Sequence, residues 1–83
     1  MVKVRLFAML YELTNKKELE VENANTVREI IEKLDSMYPG FKGFLEKGYL
    51  ILVNGINIVH LNDLDTKVND TDVVSIFPKV GGG

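Results

Sequence analysis

The chain has 83 residues, an apolar fraction of 46%, ten basic and twelve acidic residues for a net charge of −2, and no cysteine. That length makes one domain with little core to spare, and the apolar fraction argues against disorder. The lack of a basic stripe leaves a nucleic-acid footprint unsupported. The lack of cysteine excludes disulfides, thiolate metal sites and cysteine nucleophiles.

Val2, Val4 and Leu6 alternate with Lys3, Arg5 and Phe7, the period of a half-buried strand. Residues 9–16 place Met9, Leu10 and Leu13 at helical spacing, and Asn15-Lys16-Lys17 reads as a polar turn. Glu18 to Glu22 alternates again, with Leu19 and Val21 on one face, completing a first antiparallel pair. Thr26 and Glu29 have capping-box spacing, in which the hydroxyl accepts from the Glu29 amide and the carboxylate reaches back to the Thr26 amide. Val27, Ile30, Ile31, Leu34 and Met37 form the apolar stripe of a helix, with Glu29 and Lys33 one turn apart on its polar side. Pro39-Gly40 ends it.

A Gly-containing connection spans Phe41 to Gly48. Tyr49 to Val53 is a short, strongly apolar run that suits an interior strand. Asn54-Gly55 is the strongest hairpin dipeptide, which makes Ile56 to Val59 the returning strand. Residues 60–72 are polar and turn-rich, Val73 to Phe77 is the last strand, and Pro78 terminates it by removing a ladder donor. The order is ββαβββ, an α+β fold in which one main helix covers one face of a mixed sheet. With the last strand parallel to the first, this is the β-grasp or ubiquitin-like arrangement. Residues 1–78 form the domain, and 79–83 form a flexible C-terminal Gly-Gly tail leaving from a central strand.

No continuous apolar signal core opens the chain, and the longest apolar run is far too short for a bilayer. The expectation is a soluble, cytoplasmic protein, not membrane-bound and monomeric when isolated.

The segment Phe77-Pro78-Lys79-Val80-Gly81-Gly82-Gly83 resembles the tail of the MoaD family, the small subunit of molybdopterin synthase. Leu52-Val53-Asn54-Gly55, the stretch Leu64 to Val74, and the opening Val2 to Ala8 followed by a short helical stretch are similar to the same family, so the resemblance covers essentially the whole length. Thiamine-pathway sulfur carriers share the tail and fold but usually lack the inserted segment after Ala8, which favours the molybdopterin branch. The chain departs from the family pattern twice. Lys79 stands where a second proline is common, and Thr71 where the turn often has glycine.

The resemblance implies that the terminal glycine is adenylated with ATP by a ubiquitin-activating-like adenylyltransferase. It is then converted to a thiocarboxylate and donates sulfur inside the large synthase subunit. The reactive group is then the Gly83 carboxyl, with Gly82 beside it. Catalytic side chains belong to the partners, and this chain needs no metal or cofactor. Residues without side chains suit that chemistry: a β-carbon would crowd the approach to the acyl carbon, and glycines let the tail thread a narrow channel. Ordering such a tail costs roughly 1–2 kcal/mol per residue, so binding energy must come from the folded domain. Phe7 and Phe77, on adjacent strands and facing away from the helix, are the expected anchors, with Pro78, Lys79, Val80 and Gly81 completing the partner contact. Without a thiol the carrier cannot hold a persulfide, so the sulfur would ride on the acyl carbon. Ubiquitin-like conjugation to lysines, and sulfur carriage for thiamine or transfer-RNA thiolation, are the alternatives.

The other polar groups read as structural. His60 has no second histidine or cysteine to share a metal. Asp63, Asp65, Asp70 and Asp72 lack the central glycine and bidentate glutamate of a calcium loop and are expected to cap turns.

Overall fold

The alternation at the N-terminus is satisfied by strand β1 (Val2–Leu6), whose Val2, Val4 and Leu6 are buried. The computed structural model describes residues 1–79. Helix α1 (Met9–Thr14) and strand β2 (Glu18–Val21) follow, then the main helix α2 (Val27–Met37), β3 (Tyr49–Val53), β4 (Ile56–Asn57) and β5 (Val73–Pro78). Short 3₁₀ turns occupy Lys42–Leu45, Ile58–His60 and Asp63–Asp65. The sheet has five strands in the order β2-β1-β5-β3-β4. β5 lies parallel to β1 and antiparallel to β3. The last strand is therefore central, as the sequence implies, and a one-residue shift of its register would turn its apolar side chains out of the core.

Helix α2 lays Val27, Ile30, Ile31 and Leu34 on the sheet. The Thr26 hydroxyl accepts from the Glu29 amide at 3.1 Å, as expected of an N-cap. The return half of the capping box differs: the Glu29 carboxylate accepts from the amide of Asn25, not Thr26. Antiparallel bonding ties this turn to the segment before β5, with Val27 N–H donating to Thr66 O and Val68 N–H to Asn25 O. Met37, expected on the stripe, is 54% exposed because it falls in the final turn, beyond the edge of the sheet core. Among the described residues, the ion pairs of α2 are Arg28–Asp65 and Glu32–Lys42 rather than Glu29–Lys33.

The structure corrects three further expectations. The returning strand stops at Asn57, whose side chain accepts from the Val59 amide and curls Ile58–His60 into a 3₁₀ turn. The last strand runs one residue further than Phe77: Pro78 is its final residue, opposite Tyr49, and the following Lys79 amide still donates to Gly48 O at 3.0 Å. The missing proline donor is tolerated because the ladder bond at this end comes from Lys79. Lastly, Phe41 to Gly48 is more than a connection: Phe41 and Leu45 are buried in the core.

Turn chemistry fixes the register. Asn54 and Gly55 take φ of 51° and 84°, the two positive values a type I′ hairpin needs. The Asn54 side chain also bridges to the start of β5, accepting from Val73 N and donating to Asp72. Thr71 needs no glycine in its place, because the Asn69 carboxamide accepts from both its amide and its hydroxyl.

Ala8, at the N-cap of α1, holds φ 55° and ψ −128°. Phe7 O accepts from Leu10 N across it, closing a tight turn at a position that favours glycine. Such strain costs about 1–3 kcal/mol, partly offset in a glycine variant by greater unfolded-state freedom. Ala8→Gly should therefore raise the unfolding free energy by about 1 kcal/mol in a urea titration; a lower midpoint would show that the turn is unstrained.

Candidate functional site

The face of the sheet opposite α2 is built by period-two geometry. Arg5 on β1 lies beside Ser75 on β5, and Leu52 and Leu50 on β3 lie beside Ser75 and Phe77. Phe7 follows β1 directly, and its ring stacks on Phe77 with centroids 4.1 Å apart and planes inclined by 10°. Both rings are half-buried. The two aromatics expected to share one outward patch thus come together, and the stack adds about 1 kcal/mol to their burial. Leu50, 42% exposed and opposite Phe77, extends the patch and was not singled out from the sequence. The signal was present: within Tyr49–Val53, the residue one place from the buried Ile51 must face the other side.

The patch lies at the base of the C-terminal segment. Phe77 and Pro78 are the last two residues of β5, with Pro78 buried and Lys79 exposed. Lys79 is tied to the domain by its amide, and its side chain crosses Gly48, where an added β-carbon would come within 3.2 Å of Lys79 Cδ. Gly48 also has φ of 128°, so that close crossing depends on glycine twice over. The remaining expected site residues, Val80, Gly81, Gly82 and Gly83, lie outside the described residues.

Glu18 meets Arg5 Nε at 3.2 Å and Lys3 Nζ at 3.8 Å, and Lys17 Nζ sits 5.8 Å from the centroid of Tyr11. The four aspartates considered for calcium have other duties except Asp63, which takes φ of 49° in its turn. Asp65 pairs with Arg28, Asp70 with the N-terminal amine, and Asp72 accepts from Asn54 and from the Asn69 amide. His60 lies exposed in its 3₁₀ turn.

A mixed β2-β1-β5-β3-β4 sheet with one main helix on one face and a carboxyl-terminal segment leaving the central strand defines a ubiquitin-like β-grasp protein. The ThiS family model matches residues 4–83, and the chain belongs to that family of ubiquitin-like sulfur carriers and modifiers. It is 33% identical to small archaeal modifier protein 3 of Haloferax volcanii, an alignment covering 99% of this chain and 98% of that protein. It is also 33% identical to the molybdopterin synthase sulfur carrier subunit of Dictyostelium discoideum, over 98% of this chain and 94% of that one. Among solved structures, a chain of the Amycolatopsis orientalis BexX/CysO complex superposes with a TM-score of 0.85 at 29% identity, with all of both chains covered. The family resemblance read from the sequence is therefore upheld, and one relative is seen in complex with another protein. No helix among the described residues is long and apolar enough to cross a membrane.

Proposed function

We propose that this chain is the sulfur-carrying small subunit of a molybdopterin synthase, with the Gly83 carboxyl as its reactive group and Gly82 and Gly81 as the slender lead to it. The observation that supports this most directly is the placement of Phe77 on the central strand, two residues before Lys79, with the Phe7 ring stacked on it from the end of the neighbouring β1. A partner gripping that patch holds the origin of the tail at a fixed point and leaves the glycines to reach its active site.

The chemistry divides between the partners. On a ubiquitin-activating-like adenylyltransferase, a Gly83 carboxylate oxygen attacks the α-phosphorus of ATP and pyrophosphate leaves. The acyl adenylate is electrophilic at carbon; hydrosulfide attacks there, the acyl C–O bond breaks with its electron pair leaving on AMP, and a thiocarboxylate results. In the large synthase subunit that sulfur passes to the pterin precursor. This chain supplies the acyl group, the reach and the docking surface, and the catalytic side chains are the partners' own.

The experiment is intact-mass measurement after incubation with ATP, an adenylyltransferase and a sulfur source. Exchange of one terminal oxygen for sulfur supports carriage, and an unaltered mass overturns it. The modifier reading has one observation of its own, the equally long match to small archaeal modifier protein 3. Conjugates joined through Gly83 to lysine amines would support it.

The docking role has a separate test. Phe7→Ser combined with Phe77→Ser removes the stack, costing the domain about 1–3 kcal/mol while leaving it folded. Affinity for the adenylyltransferase should fall at least tenfold, as for an aromatic anchor. A dissociation constant within twofold of the parent would discard the patch as the anchor.

A further inference from the structure

A cleft of about 470 Å³ adjoins the Phe7–Phe77 stack, between the start of α1 and the β1-β2 end, lined by Arg5, Phe7, Ala8, Tyr11, Lys17 and Glu18 among others. Its base is apolar and its rim is cationic. Arg5 and Lys17 are both exposed, and Lys17 is poised over the Tyr11 ring, with its own carbonyl accepting from Leu6 N. The one carboxylate in the lining, Glu18, pairs with Arg5 and with Lys3 beside it, so the two lining cations outweigh it by one charge. In a chain of net charge −2 this is a local inversion of sign, placed at the edge of the docking patch.

We infer that this cleft receives an acidic segment of the adenylating partner, one carboxylate entering between Arg5 and Lys17 while a neighbouring apolar side chain rests on Phe7 and Ala8. The inference rests on the carrier reading and names the chemistry of the contact that reading requires. A carrier must leave its activating enzyme after every turnover, so productive encounter has to come from association rate more than from buried area. Opposite charges at the rim of an apolar contact provide that, raising the on-rate in a salt-dependent way.

The test compares Arg5→Gln/Lys17→Gln with Lys33→Gln/Lys67→Gln, a pair that removes the same charge elsewhere. Pyrophosphate release is followed with the adenylyltransferase over an ionic-strength series. The cleft pair should lower kcat/KM about tenfold at low salt, leave kcat unchanged and flatten the salt dependence, while the control pair does neither. An equal fall in both pairs, no fall in either, or a fall in kcat alone overturns the inference. So does displacement of the Tyr11 and Lys17 amide resonances by ATP without enzyme, which would assign the cleft to phosphate. If the charge pair is silent while the phenylalanine variant fails to bind, this inference falls and the carrier reading stands. If the parent chain is never adenylated, both fall.

Discussion

Deletion of Gly83 should reduce thiocarboxylate formation at least about 100-fold while leaving the affinity for the adenylyltransferase within twofold of the parent. The asymmetry follows from the division between anchor and reach. On the proposed reading, docking energy comes from the face carrying Phe7, Phe77 and Leu50, which the deletion leaves alone. The origin of the tail is fixed by β5, which is hydrogen-bonded to strands on both sides and tied once more through Lys79 to Gly48. Removing one residue still leaves a glycine carboxylate, but withdraws it by about 3.5 Å from the α-phosphorus it must attack. A misplacement of about 1 Å can already cost about 100-fold. The loss should therefore appear in kcat and not in KM. Gly83→Ala, which keeps the length and adds only a β-carbon, should retain more activity than the deletion. Intact mass after a fixed incubation reads both variants. A shortened chain that acquires sulfur at the parental rate would end the proposal that Gly83 is the transfer site.

The shared patch of Phe7 and Phe77 was readable in the sequence because its determinants are local. Alternation placed Phe7 and Phe77 on outward positions of two strands, and one topological step, the parallel pairing of the first and last strands, brought them together. Asn54-Gly55 specified its hairpin because positive φ at two successive residues leaves few other choices. What escaped was decided by side-chain caps and by distant partners. Ile56 to Val59 alternates like a strand, yet a two-residue strand turns away because Asn57 caps the Val59 amide. Val68 stands alone among polar residues and so has no period; it is buried because its amide reaches Asn25 and seals the loop beneath α2. Leu50 needed the register with β5 before its exposed side had meaning.

Phe41 is the most consequential of these omissions, and its replacement by alanine should be the most damaging single change to the fold. It sits between Gly40, at φ of 99°, and the Lys42–Leu45 turn, in a stretch that reads as a Gly-containing connection. It is nevertheless fully buried and heads the largest side chains of the core, and its amide donates to Tyr38 O just after α2. The aromatic ring therefore acts as the plug that turns the chain from the helix end back toward β3. Phenylalanine-to-alanine changes in cores cost about 3–5 kcal/mol, through lost transfer energy and the cavity left behind. A domain this size has roughly 5–10 kcal/mol to lose, and each kcal/mol lowers the melting temperature by about 4–8 °C. Phe41→Ala should accordingly melt about 20 °C below the parent by circular dichroism. Phe44→Ala, three residues away and 36% exposed, should shift the midpoint by only a few degrees. Equal shifts in the two variants would mean that the buried ring does not close this corner of the core. Should Phe41→Ala be too unstable to purify, the conservative Phe41→Leu, costing about 1–2 kcal/mol, supplies the same comparison.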